Sequence, residues 1–177
     1  ENIDSRRPIF NLTSETKNGY AIIRVDIEDD GLSKISKISL SNGAVNRRDE
    51  ETGEIDKEFT VSKNSKYIVS VEDEAGNISK KDIKIADIQR SISANIENKT
   101  AYSIVTVNIT DDGISKINEI SLSNGEKHES DANGNINKVF NIGKGGEYKV
   151  TMLDVDDNIC ETSVVIPDIT RKIKIVA

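Results

Sequence analysis

The sequence predicts an all-β protein made of two tandem β-sandwiches. Three observations carry this: a long internal repeat, period-two alternation of apolar residues within each copy, and turn-forming residues at short intervals. The repeat is explicit. Asp29-Asp30-Gly31-Leu32-Ser33-Lys34-Ile35 returns as Asp111-Asp112-Gly113-Ile114-Ser115-Lys116-Ile117, and Ile38-Ser39-Leu40-Ser41-Asn42-Gly43 returns as Ile120-Ser121-Leu122-Ser123-Asn124-Gly125, both at an offset of 82. The offset then falls to 81, because the first copy has one extra residue in the loop 44–52. Gly53 matches Gly134, Phe59 matches Phe140, Tyr67 matches Tyr148 and Asn77 matches Asn158. A repeat of this length is too long for a solenoid unit and suits a small self-contained domain. An insertion confined to one loop is what separately folded modules tolerate.

Within each copy the strands follow in order. Ile23, Val25 and Ile27 alternate with Arg24 and Asp26, and Val105, Val107 and Ile109 alternate with Thr106 and Asn108. That is the pattern of a half-buried strand. Ile38 and Leu40, with Ile120 and Leu122, mark the next strand. Phe59 and Val61, then Tyr67, Val69 and Val71, then Ile83 and Ile85 supply three more. Their equivalents are Phe140 and Ile142, then Tyr148, Val150 and Met152, then Val164 and Ile166. Asp30-Gly31, Asn42-Gly43, Thr52-Gly53, Asn64-Ser65 and Gly76-Asn77 punctuate the first copy as turns. No window carries a helical stripe. Six or seven short strands per copy, at roughly 8–12-residue spacing, describe a β-sandwich.

Asp87-Ile88-Gln89-Arg90-Ser91-Ile92 joins the copies and recurs as Asp168-Ile169-Thr170-Arg171-Lys172-Ile173, while Arg7-Pro8-Ile9 opens the chain in a related form. The expected boundaries are therefore 1–87 for the first sandwich, 88–169 for the second, and 170–177 for the start of a third, truncated one. The chain reads as a slice of a longer array. Its joining segment 87–91 is short and lacks Gly, so restricted bending is expected there.

At Tyr67 and Val71-Glu72-Asp73-Glu74-Ala75-Gly76-Asn77 the sequence resembles a known family. A Tyr-led strand, then Asp-x-Ala-Gly-Asn, then a closing strand is similar to the tandem bacterial immunoglobulin-like (Big-type) domains of cell-surface and secreted proteins. The Asp-Asp-Gly-Ile/Leu turn and the Ile/Asp linker are similar too, and the resemblance spans both copies. In the second copy Ala75-Gly76 becomes Asp156-Asp157, so a differently built hairpin is expected there. The resemblance implies immunoglobulin-like sandwiches in a stalk or adhesive region outside a bacterial cell. It implies no activity.

Composition narrows the function classes. A net charge of −7 argues against nucleic acid and against an acidic lipid surface. Aromatic residues make up 4% with no Trp, which leaves few platforms for sugars or bases. Tyr20, Tyr102 and Phe10 are too few to form one. No apolar run is long enough to insert into a membrane. The single cysteine, Cys160, excludes an intrachain disulfide, which suits a bacterial surface protein.

The candidate chemistry lies in the turns. In a sandwich of this kind, the turn after the second strand and the turn before the last strand share one end. In the second copy these turns bring Asp111, Asp112, Asp154, Asp156 and Asp157, with Asp87 nearby, as candidate calcium ligands. Calcium takes six to eight oxygens from carboxylates and carbonyls. The first copy offers Glu28, Asp29, Asp30, Glu72, Asp73 and Glu74. The plain alternative is that Asp, Asn and Gly make good turns. A Lys–Asn isopeptide crosslink would need a core lysine beside an acid, and the lysines fall on outward positions. His128 sits in the polar stretch Glu126-Lys127-His128-Glu129 and is expected to be solvated, with no second histidine for zinc. Cys160 replaces Ser79 and lacks a base, and the four Asn-x-Ser/Thr sites read as chance. Tyr67 and Tyr148, opening the penultimate strand, suit either a tyrosine corner or a plain core position.

No enzyme is expected. The first reading is a structural spacer within a bacterial cell-surface or secreted protein, contacting adjacent repeats. The second is an adhesin module for a host protein or glycan, and the third an accessory module of a carbohydrate-active enzyme. The loops 44–52 and 125–134 are the only variable candidates for a distinctive patch, and they read as merely polar.

Overall fold

The computed structural model describes residues 4–28 and 33–170 of the 177. The expected third repeat, beyond residue 170, and the turn residues Asp29, Asp30 and Gly31 lie outside the described residues. The chain divides into two compact units, Glu1–Ile88 and Gln89–Ala177. The first contains β1 (Phe10–Lys17), β2 (Tyr20–Ile27), β3 (Ile35–Leu40), β4 (Val45–Arg47), β5 (Glu58–Val61), β6 (Ser65–Asp73) and β7 (Ile78–Ile85). The second repeats them as β8 (Ile92–Asn98), β9 (Ser103–Ile109), β10 (Ile117–Leu122), β11 (Lys127–Glu129), β12 (Val139–Ile142), β13 (Gly146–Asp154) and β14 (Ile159–Ile166). No helix occurs among the described residues.

Each unit is an immunoglobulin-like β-sandwich. In the first, a three-stranded sheet β1-β2-β5 faces a four-stranded sheet β4-β3-β6-β7; in the second, β8-β9-β12 faces β11-β10-β13-β14. All pairings are antiparallel. The constant-type immunoglobulin order puts the fourth strand beside the fifth. Here β4 and β11 pair instead with β3 and β10.

The expected alternation is the buried alternation. Ile23, Val25, Ile38, Val69 and Val71 are at most 1% exposed, as are Val105, Val107, Ile120, Val150 and Met152. Burying one such side chain contributes about 1.5–3 kcal/mol. Both tyrosines take the corner role: Tyr67 Oη donates to Lys63 O at 2.7 Å and Tyr148 Oη to Lys144 O at 2.9 Å. Both copies also carry a bulge at the same place, between Ile35 and Lys37 and between Ile117 and Glu119.

The Asp156-Asp157 hairpin corrects the sequence expectation. It is built like its counterpart: Gly76 N donates to Asp73 O at 3.2 Å, and Asp157 N to Asp154 O at 3.2 Å. Gly76 has φ 84° and Asp157 φ 66°. A short polar side chain is among the few that tolerate this left-handed region, so the backbone survives loss of glycine.

The joining segment belongs to the sandwiches. Ile88 is buried in the first core and bracketed by Asn64, whose Nδ2 donates to Ile88 O at 3.1 Å while Ile88 N donates to Asn64 Oδ1 at 2.9 Å. Ile88 thus packs as part of the first unit.

Candidate functional site

The acidic turns of the second unit converge on an arginine. Arg90 precedes β8 and turns its side chain inward, where it is 2% exposed and both Asp111 and Asp154 are 0% exposed. Its Nε donates to Asp111 Oδ2 at 2.9 Å; its Nη1 donates to Asp154 Oδ2 at 3.1 Å and to Ser115 O at 2.9 Å. Gly113 makes the room, since a Cβ there would lie 2.3 Å from Arg90 Cζ.

The carboxylates are further satisfied by backbone. Asp111 accepts from Ser91 N at 2.7 Å and Gly113 N at 2.9 Å. Asp154 accepts from Asp156 N and Asn158 N, both at 2.9 Å, and from Asn158 Nδ2 at 2.9 Å. Burial pushes the Asp111 carboxyl up, but the bonds from Ser91, Arg90 and Gly113 together outweigh it and hold the group below its ordinary value. Buried charges persist only with this kind of pairing and hydrogen bonding.

Of the five candidate calcium ligands, the structure brings Asp111 and Asp154 together, and the guanidinium lies between them. Asp112 and Asp157 are exposed, and Asp156 is half-buried with its backbone engaged. Asp87 is exposed in the first unit. No group of three or more His, Cys, Asp or Glu suited to a metal occurs among the described residues. A calcium ion at Asp111 and Asp154 would have to displace a buried cation that already satisfies both.

Sequence reasoning missed Arg90. The signal was an arginine recurring in the Ile/Asp linker, at Arg90 and Arg171.

The first unit completes the same end differently. Equivalent bonds, Glu28 N to Ile9 O and Thr110 N to Ser91 O, both at 2.9 Å, align Pro8 with Arg90. Asp73, matching Asp154, accepts from Asn77 N at 2.8 Å and Asn77 Nδ2 at 2.9 Å. Asp4, also buried, accepts from Arg6 N at 3.0 Å and Ser33 N at 2.8 Å, and its carbonyl accepts from Asn77 Nδ2 at 3.0 Å. Glu72 pairs with Lys37, and Glu74 with Arg48 at 3.6 Å.

The remaining candidates resolve individually. His128 is half-buried, not solvated: its ring stacks 4.4 Å from Phe140 and its Nε2 lies 3.0 Å from Val139 O. Its counterpart Asn46 donates to Asp56 O at 3.0 Å and Glu58 O at 3.1 Å. Either side chain stitches the short fourth strand of its unit to the opposite sheet. Burial first, and then the charge of Asp111, push the Cys160 thiol up to about 11, against a nucleophilic role. Lys81 Nζ lies 3.1 Å from Asn11 Oδ1, and Asn11 Nδ2 donates to Glu28. All three are exposed, whereas attack on an amide needs an amine stripped of water and proton. The polar loops 44–52 and 125–134 are each folded around an aspartate. Asp49 accepts from Thr52 N at 2.7 Å, and Asp131 from Asn135 Nδ2 at 3.0 Å and Asn135 N at 2.8 Å, and such bonds hold both carboxyls below their ordinary values.

No protein-family model matches the chain, and no curated protein matches it. Among solved structures it is similar to the fibronectin(III)-like modules of CbhA from Clostridium thermocellum, at 11% identity over 88% of this chain and 91% of that one, with a TM-score of 0.30. It is also similar to part of the beta-glucuronidase of Parabacteroides merdae with glycerol in its active site, at 12% identity over 92% of this chain and 25% of that one, TM-score 0.30. A second structure of that enzyme gives 12% identity, 91% and 24% coverage, and a TM-score of 0.29. The chain thus spans about a quarter of the glucuronidase's length. Likeness at this level carries nothing on activity, and the fold assignment rests on the strand order above.

Proposed function

We propose that this chain is a non-enzymatic structural segment, a spacer within a larger bacterial cell-surface or secreted protein. One observation carries the reading: the polar side chains common to both copies direct their hydrogen bonds to their own fold. Tyr67 and Tyr148 latch a corner, and the pairs Asp73–Asn77 and Asp154–Asn158 cap a hairpin. What the repeat retains is what holds a sandwich closed. The joining segment supports the same reading, since Ile88 is fixed in the first core and Arg90 in the second unit, with Gln89 alone between them.

Pulling the chain from its two ends in a single-molecule instrument tests the proposal. A spacer should give two cooperative steps, each releasing roughly 250 Å, which is about 80 residues at ~3.5 Å each less the folded length. Gradual extension without such steps would remove the basis for a spacer that keeps its length under tension.

A further inference from the structure

The first unit has an open corner that the second lacks in kind. Where β1 begins beside β7, a groove of about 670 Å³ runs between the two sheets, lined by Arg7, Ile9, Phe10, Ile78, Lys80 and Lys81 among others. Among the described residues lining it there are three cations and no carboxylate, in a chain of net charge −7. Among the described residues neither Arg7 nor Lys80 has an ion pair. Lys81 reaches back over the Phe10 ring at 5.4 Å and meets Asn11, not an acid. The apolar part is equally open: Ile9 is 49% exposed and Ile78 42% exposed.

Strand β7 borders this groove and, among the described residues, pairs with β6 alone. Lysines on an edge strand are a known guard against indiscriminate pairing. That guard has a sign. An antiparallel pairing of β7 with a second copy, centred on Asp82, would set Lys80 against Lys84 and Asp82 against itself, and like charges directly opposite are destabilising. In that register a self-derived strand is disfavoured, and a basic strand is disfavoured beside Lys80 and Lys81, while an acidic one is attracted. The second unit shows that the feature belongs to one copy. There Ile78-Ser79-Lys80-Lys81 is replaced by Ile159-Cys160-Glu161-Thr162, and the residue aligned with Pro8 is the buried Arg90.

We propose that this corner accepts an extended acidic segment of a partner protein, added as a strand beside β7. Main-chain groups of β7 supply the pairing and alternate side chains the specificity. Carboxylates on one face of the incoming strand meet Lys81, with Arg7 also lining the groove, while aliphatic side chains on the other face cover Ile78, which shares its face of β7 with Lys80. This partner role goes beyond the spacer reading and does not depend on it.

The test uses the full chain, labelled with nitrogen-15, and synthetic peptides alternating Glu with Ile, Lys with Ile, or Glu with Ser. The expected result is saturable shifts at Phe10 and along Ile78–Lys81 with the Glu/Ile peptide alone. The double variant Lys80→Glu, Lys81→Glu should weaken that binding about tenfold or more, with core signals of Ile23 and Val71 unchanged as proof of folding. Lys138→Glu in the second unit should bind as the natural chain does. Equal binding of the Glu/Ser peptide would mean bare charge attraction, and binding of the Lys/Ile peptide mere apolar adhesion. Either overturns the proposal, as do shifts confined to the second unit, self-association through β7, or no shifts at all.

Discussion

Arg90 donates through Nε to Asp111 Oδ2 at 2.9 Å with both side chains out of solvent. This contact ties the segment before β8 to the turn after β9, and through Nη1 it extends to Asp154 at the end of β13. Removing one partner of a buried ion pair leaves uncompensated charge. Arg90→Ala should therefore destabilise the second unit by about 3–5 kcal/mol and leave the first unit unchanged. Amide exchange followed separately at Val107 and Val25 would resolve the two, and equal loss in both would contradict the assignment.

Acid should act through Asp111. Its carboxyl is held below the ordinary 3.8, so the folded state binds that proton less readily than the unfolded chain. The stability it contributes is fully present above that ordinary value and is lost as pH falls through the lower folded value. Denaturant midpoints of the second unit should drop across that window, and Asp111→Asn should flatten the drop.

Calcium should find no vacancy in the natural second unit, because Arg90 satisfies both buried carboxylates. Millimolar calcium is expected to leave its melting temperature where EDTA leaves it, and to raise it in Arg90→Ala, where Asp111 and Asp154 are released. A rise in the natural chain, abolished by Asp156→Ala, would instead place an ion among the outer turn residues.

Gly76 has φ 84° and open space where a Cβ would sit. Its replacement is thus a backbone matter alone. Gly76→Ala should cost the first unit about 1–2 kcal/mol, and Gly76→Asp less, since the second unit runs the same turn on Asp157. A thermal melt showing Asp worse than Ala would refute this ordering.

The tyrosine corners should be worth the same in both copies. Tyr67→Phe and Tyr148→Phe each delete one hydrogen bond without altering the ring, at an expected cost of about 0.5–1.5 kcal/mol. Urea midpoints for each variant check the equality.

The sandwiches were legible because their signals are local and redundant. Val105-Thr106-Val107 states its own burial pattern, and the repeat states it a second time in Ile23-Arg24-Val25. The tyrosine corner was legible for the same reason, since Tyr148 reaches a carbonyl only four residues back. What stayed hidden depended on distant partners. Asp111 and Asp154 looked like cation ligands, and a cation does lie between them, but it arrives on Arg90 from a stretch that reads as linker. His128 looked solvated because its neighbours Lys127 and Glu129 are charged, while the Phe140 ring that covers it lies on another sheet. Asp157 looked disruptive because glycine is the usual tenant of left-handed backbone.

The stretch between the sandwiches also decides where the molecule can be cut. A fragment of the second unit begun at the first strand residue, Ile92, would keep every strand and still lose Arg90 and Ser91, exposing two bare carboxylates inside. One begun at Gln89 carries its own counterion. The second sandwich is thus self-sufficient only together with the few residues upstream of its first strand.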